Sequence, residues 1–430
     1  MVTSGLPKPM IVREVLPNGL TLVTESMPHV RSAAVGVWLR RGSRHETPAR
    51  TGISHFIEHM VFKGTRHRSA AAIAAEVDAI GGFMDAYTAK EHAAFHLKVL
   101  DEHLPRALDI VVDIIRNPLF DPVEIAKEKR VILEEISMVE DTPDDLVMEL
   151  FTGAFWPSHP LGRPILGTRK SVRSFTRGQL AGFFRDVYHP GNLVVAAAGR
   201  LAHETTRSLV ERGLGDLSPG RPPRRPERPP RPAGRVVTRS KRELEQVHIC
   251  LGVPAYAQGH DDRYGAHTLN VILGGSMSSR LFQNVREQRG LVYAISSGIS
   301  AYSDAGSLCV YAGTSRRAVD EVLQLTLDEL QRLQDEPVPE EELRRAKDHL
   351  KGSLMLSLES TGSRMSHLAR QELAHGRQLD LDEVLERIER VEAEDLTRIA
   401  RELFAGPMTV SVLGNLDGYR PRLTRRGARA

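Results

Sequence analysis

Pro122-Val123-Glu124 and Pro339-Glu340-Glu341 each open a stretch of helical periodicity, and the two stretches stand 217 residues apart. Asp121 before Pro122 is an N-cap residue followed by proline at the first helical position, where no backbone N–H is required. The elements around the two stretches repeat in the same order. A strand-like run at 247–253 matches 34–39, a helical pattern at 264–273 matches 52–61, and helical patterns at 318–334 and 339–358 match 104–116 and 122–140. Between the copies, 219–232 alternates proline with arginine and offers almost no side chain to a core, which reads as a semi-rigid linker. An internal duplication explains the pattern most economically, with two α+β domains of roughly 200 residues each. Residues 1–218 and 236–419 form the two domains, 219–235 the linker and 420–430 a basic tail.

Composition narrows the class. With 430 residues, 41% hydrophobic and 26% charged, the chain has the usage of a globular protein and too much length for one compact core. No apolar run approaches the ~18 residues that span a bilayer; runs such as 193–199 and 70–75 are short and alanine-rich. Pro7, Pro9 and Pro17 interrupt the N-terminal segment where a targeting peptide would need continuous helix. Cys250 and Cys309 are the only cysteines, too few for a disulfide framework and consistent with a reducing compartment, the cytoplasm. Segments 221–235 and 420–430 each contribute +5 to a net charge of +3, which leaves −7 for the rest. The basicity therefore sits in a linker and a tail nearly free of aromatics, which argues against nucleic-acid binding.

The two copies differ in their polar residues. His55-Phe56-Ile57-Glu58-His59 falls in a helical pattern; residues four apart lie one above the other, so both imidazoles can reach one metal ion with Glu58 beside them. This is the H-x-x-E-H arrangement of inverted zinc-protease motifs. By composition such a pentapeptide arises in about one chain in twenty, so two surface histidines on an amphipathic helix remain an open reading of it alone. A catalytic zinc takes three protein ligands and keeps one position open. The helix at 122–140 offers Glu128 and Glu135, seven apart on one face, with Glu134 some 100° away. That face can supply a ligand and a carboxylate that orients a ligand histidine, or it is simply solvated and paired with Lys127. In the second copy the positions of His55, Glu58, Glu128 and Glu135 fall near Thr268, Val271, Arg345 and Gly352. All ligand-type residues are missing together from that copy, which a merely solvating role does not explain.

The block His55-Phe56-Ile57-Glu58-His59-Met60-Val61-Phe62-Lys63-Gly64-Thr65, with Val131-Ile132-Leu133-Glu134-Glu135-Ile136 further on, resembles the M16 family of inverzincin metallopeptidases, in its short, processing-peptidase-like bacterial form. The resemblance runs from Leu16-Pro17-Asn18-Gly19 to about Asn415. It implies zinc held by His55, His59 and Glu135, with Glu128 behind them and Glu58 as the base. It also implies two homologous domains, each an antiparallel-rich sheet packed with helices.

The same resemblance bears on substrate and assembly. Gly81-Gly82-Phe83-Met84-Asp85-Ala86-Tyr87-Thr88 looks like the family's edge strand, which binds peptide as an added strand; Asp85 stands where the family usually has asparagine. Residues 85–88 are thus candidate substrate contacts, although a plain hairpin edge also accounts for the segment. Arg286 and Tyr293 resemble the pair that the family's other domain projects over the zinc site, and both are suitable donors to an oxyanion. Gly274-Gly275-Ser276-Met277-Ser278-Ser279-Arg280-Leu281 lacks a phosphate-loop lysine, so nucleotide binding is rejected. His92, His96, His248 and His267 have no partners at ligand spacing, and Trp38 and Trp156 read as packing residues. The resemblance implies a clam-shaped pair of half-length units around a chamber, as a homodimer with two sites or with a related inactive subunit, acting on unfolded peptides. The alternative is a non-catalytic structural or partner subunit.

Overall fold

The structure, a computed structural model, describes residues 10–220 and 229–421. Much of the arginine-proline linker and nearly all of the basic tail lie outside the described residues. The strands are β1 (Met10–Val15), β2 (Thr21–Ser26), β3 (Ser32–Leu39), β4 (Phe83–Thr88), β5 (Ala93–Leu100), β6 (Leu193–Gly199), β7 (Val236–Ser240), β8 (Val247–Ala255), β9 (Val292–Ala301), β10 (Gly306–Thr314) and β11 (Thr409–Gly414). The helices are α1 (Ile53–Val61), α2 (Ala70–Ala79), α3 (Leu104–Arg116), α4 (Pro122–Asp141), α5 (Pro143–Phe155), α6 (Arg169–Ser174), α7 (Arg177–Val187), α8 (His203–Leu214), α9 (Arg263–Leu273), α10 (Val319–Asp335), α11 (Glu340–Ser357), α12 (Thr361–His375), α13 (Leu381–Glu389) and α14 (Ala393–Phe404). None of them is long and apolar enough to cross a membrane.

Contacts group the described residues into two units. The first comprises 10–136, 163–220 and 356–378; the second comprises 137–162, 229–355 and 379–421. The first unit carries a six-stranded sheet in the order β1-β2-β6-β3-β5-β4. Only β2 and β6 pair parallel; the other neighbours are antiparallel. The second carries a five-stranded sheet, β7-β11-β8-β10-β9, again antiparallel except for β7 with β11. Both are α+β.

Strand alternation gives the first sheet two apolar faces. On one, Val35, Val37, Phe95, Leu97 and Val195 pack against α1 and α3 through Phe56, Met60, Leu108 and Val111. On the other, Ala34, Trp38, Ala94, Ala196 and Ala198 meet Met365, Leu368 and Ala369 of α12. The alanines let a helix approach closely, and that helix comes from the second half of the sequence. The exchange is reciprocal: Val147, Phe151 and Phe155 of α5 pack with Cys250, Cys309 and Leu413 of the second unit. Ion pairs fasten α12, since Glu372 is buried between Arg13 and Arg40 at 2.7 and 3.0 Å, and Arg364 meets buried Glu25 at 2.9 Å.

The helix that matters most for the site has an unusual start. Gly52 enters α1 with φ +93°, and an added Cβ would fall 2.7 Å from Gly167 Cα and Leu166 O, so both conformation and space require glycine. No side chain caps α1 locally; instead Glu46 accepts hydrogen bonds from Gly52 N at 2.7 Å and Ser54 N at 2.8 Å.

Candidate metal centre

On α1, Ile53, Phe56, Ile57, Met60 and Val61 are buried in the sheet core, and that anchoring turns His55 and His59 toward α4 and Glu58 toward β4. On α4, Asp121 caps the first turn through Val123 N at 2.8 Å, and Ile125 and Ile132 anchor it in the same core. Glu128 and Glu135 then fall on the side facing α1, while Glu134 is exposed.

Three donors converge. His55 Nε2 lies 3.6 Å from one oxygen of Glu135, and His59 Nε2 lies 3.4 Å from the other. One donor atom from each residue falls within 4.8 Å of the other two, the sole such group of three among the described residues. Glu128 Oε2 sits 2.9 Å from His59 Nδ1. A carboxylate can only accept there, so Nδ1 carries the proton and Nε2 keeps its lone pair toward Glu135 in the neutral ring. Glu128 is itself buried, and its second oxygen meets Lys63 Nζ at 2.8 Å.

The electrostatics suit a cation. Burial, helped by neighbouring His59, pushes His55 down to about 3, so its ring is neutral and able to ligate. Burial also lowers His59, but the Glu128 hydrogen bond and the charges of Glu135, Glu128 and Glu58 outweigh it and leave the ring above its ordinary value. Glu135 and Glu58 are both raised by burial. Glu135 Oε2 and His55 Nδ1 are buried without a hydrogen-bond partner. A buried, unpaired carboxylate oxygen facing two imidazole nitrogens is costly in an empty protein and satisfied by a divalent ion. Two imidazoles and a carboxylate are a set that zinc accepts, with room for a fourth ligand.

Lys63 follows His59 by four residues and completes a line from Lys63 through Glu128 to His59. Lys63→Met leaves one oxygen of a buried carboxylate without its donor. Zinc affinity, measured by chelator competition, is expected to fall about tenfold, in the range seen when an outer partner of a metal ligand is lost. Lys63→Arg is expected to restore most of it.

The remaining candidates separate. Asp85, Ala86, Tyr87 and Thr88 lie on β4, at the edge of the first sheet. Met84 and Ala86 face the α1 side, whereas Tyr87 faces Trp38 and α12. Asp85 pairs in register with His96 and holds its own strand through Ala86 N at 2.9 Å. Thr88 Oγ1 donates to Glu58 Oε2 at 2.6 Å. His92 approaches the Tyr87 hydroxyl at 3.4 Å, His96 stacks on Trp38, and His248 meets Tyr311 at 2.9 Å. In the second unit, Arg286 Nε donates to Tyr293 O at 2.9 Å, which places the two side by side with Tyr293 78% exposed. The second-copy positions hold no histidine or carboxylate: Thr268 and Val271 are buried, and Arg345 pairs with Glu341 at 2.7 Å.

Sequence reasoning missed Glu46. This carboxylate is 4% exposed, and burial, opposed by the two N–H bonds from Ser54 and Gly52, raises it from 4.5 to about 7. A raised acid holds its proton longer in the folded state than in the unfolded one. Its contribution to stability is therefore complete below about 4.5 and lost as pH rises through about 7. Thermal unfolding of wild type and Glu46→Gln between pH 4.5 and 8 is expected to show the wild-type advantage shrinking as pH rises; a constant difference would refute this.

The model of the Insulinase (Peptidase family M16) family matches residues 21–169, and that of the Peptidase M16 inactive domain matches 174–350. An uncharacterized zinc protease of Streptomyces coelicolor is 42% identical, over 94% of this chain and 89% of its own. The uncharacterized zinc protease YmxG of Bacillus subtilis is also 42% identical, over 94% and 98%. Two crystal structures share the fold: a protease from Helicobacter pylori (TM-score 0.89, 21% identity, 94% of this chain and 99% of that one) and a peptidase M16 inactive domain from Pseudomonas fluorescens (0.88, 20%, 97% and 100%). The match to the inactive domain runs from the end of the first half through β7 to β10 and into α11, and the match to the peptidase model covers α1, β4 and α4. With a paired-histidine helix facing a glutamate helix in the first half and near-full-length relatives at 42% identity, the chain belongs to the M16 peptidase family.

Proposed function

We propose that the protein is a zinc-dependent endopeptidase that hydrolyses unfolded peptides, or processes a peptide segment, inside a closed chamber. The observation that carries this reading is the convergence of His55 Nε2, His59 Nε2 and the Glu135 carboxylate with Glu58 alongside. Zinc held by these three residues supplies a Lewis acid that makes water a stronger nucleophile near neutral pH and polarises a carbonyl. Glu58 takes the proton of the attacking water at its carboxylate and returns it to the leaving amine. Burial favours that role, since it raises the affinity of Glu58 for a proton. Glu128 holds the Nδ1 proton of His59 and keeps that ring oriented.

The exposed edge of β4, with Asp85, Ala86, Tyr87 and Thr88, holds the substrate extended by pairing with its backbone. Arg286 and Tyr293 stabilise the oxyanion that develops from the carbonyl. The working assembly is a homodimer with two sites; the alternative is a pair with an inactive relative. We place the protein in the cytoplasm, on the support of Cys250 and Cys309, both buried and unbridged.

Cleavage of a long, unstructured, internally quenched peptide tests the reading. Activity is expected to vanish on chelation and return with zinc. A folded, zinc-loaded protein that cleaves nothing would overturn it and favour a non-catalytic subunit.

A further inference from the structure

Glu58 reaches its position on α1, one residue before His59, but α1 fixes only its backbone. A glutamate side chain has three rotatable bonds, and a base works only when one oxygen faces the water it deprotonates. What restrains that carboxylate comes from a different element. Thr88, the last residue of β4, donates its hydroxyl to Glu58 Oε2 at 2.6 Å. A hydroxyl beside a carboxylate donates its single proton, so one acceptor position of Oε2 is taken and Oε1 is the oxygen that this bond leaves fully open to a proton.

Thr88 is itself held firmly. Its Cα pairs with Ala93 in the β4–β5 ladder. The turn that follows is clasped by the loop before α1, with Ser43 N donating to Ala89 O at 3.0 Å and Arg44 N to Lys90 O at 2.8 Å. Arg44, buried, pairs with Glu91 at 2.5 Å, and Lys90 Nζ donates to Arg163 O at 2.5 Å, while Arg163 Nη1 donates to Glu46 O at 2.8 Å. Gly42 lies directly against Ala89 O and His92 N, where any side chain would collide. The clasp therefore joins the end of β4 to the start of α1 through Glu46.

We infer that Thr88 is a positioning residue for the general base: its hydroxyl holds Glu58 Oε2 so that Oε1 is presented to the water, and it ties the base to the strand on which peptide is laid. This rests on the peptidase reading above. The side chain of Thr88 thus serves the base, while its backbone belongs to the substrate edge.

The test compares zinc-loaded wild type, Thr88→Val, Thr88→Ser and Glu58→Gln on the quenched peptide, together with crystal structures of wild type and Thr88→Val. Thr88→Val is expected to lower kcat on the order of 10- to 100-fold, part of the 10²–10⁴-fold that a positioned base supplies. KM and zinc content are expected to stay within about twofold, because neither backbone pairing nor the ligands change. Thr88→Ser is expected to recover most of the lost kcat, and the Val variant should show Glu58 rotated away from its wild-type rotamer. An unchanged kcat, a rise in KM alone, or a Ser variant as slow as the Val variant overturns the inference. Should the Val variant not fold, Thr88→Ala gives the same comparison. If wild type proves inert the peptidase reading fails separately, and the Glu58 rotamer in the variant structure still decides the positioning role: unaltered, it overturns the inference.

Discussion

Glu58→Gln is expected to retain zinc and to lower kcat on the order of 10²–10⁴-fold, the range that a general base contributes. Glu58 is outside the converging donor group, so the ligands keep their places. Glutamine has nearly the same shape, and its carbonyl oxygen can still accept the Thr88 hydroxyl that now bonds Oε2. What the amide cannot do is take up a proton. Zinc stoichiometry by metal analysis and turnover of the quenched peptide check both halves. Loss of zinc in this variant would show Glu58 to be a ligand, and full turnover would show that another group is the base.

Glu135→Ala is expected to show the opposite separation, losing the metal itself. Removing a partner behind a ligand costs about 10- to 100-fold in affinity, so removing one of three ligands should cost more than about 100-fold. The effect also appears without any substrate. Zinc at about 100 times its Kd raises wild-type stability by about 2.7 kcal/mol by mass action, and the variant should show almost no rise in Tm when zinc is added. The metal-free variant should be no less stable than metal-free wild type, because the substitution removes a buried carboxylate oxygen that has no partner. Glu134→Ala, one residue away on the exposed side of α4, is the control, and zinc should stabilise it as it does wild type. A Glu135 variant that binds zinc like wild type would move the third ligand elsewhere.

Both expectations depend on features that differ in how far they can be read along the chain. The histidine pair is local: four residues on a helix is one turn, and the buried residues of α1 show the periodicity that makes the helix. Glu135 was legible one step less directly, because a spacing of seven from Glu128 puts both on one face but does not say which of them faces both histidines. The depth of Glu128, held between His59 and Lys63, and the gap between His55 and His59 that Glu135 fills are tertiary facts.

Other contacts left no trace in spacing. Glu46 caps α1 from six residues before Gly52 across a loop, and Thr88 meets Glu58 over a separation of 30 residues. Neither pairing has a period. The same limit applies on a larger scale to α5 and α12. The duplication is visible as repeated order, yet repeated order suggests that each half packs on itself.

What the sequence indicated by itself was therefore a part of the elements, such as α1, α3, α4, α10 and α11, their repeated order, and the placing of the ligand-type residues in one copy, since periodicity, caps and helix faces are fixed by neighbours a few residues apart. The tertiary structure alone decided which sheet each exchanged helix covers, which oxygen of Glu58 is held and what supports the ligands. Apolar burial is non-directional: a face of alanines such as Ala34, Ala196 and Ala198 accepts any helix that fits, and only the closed fold selects Met365, Leu368 and Ala369 to fill it.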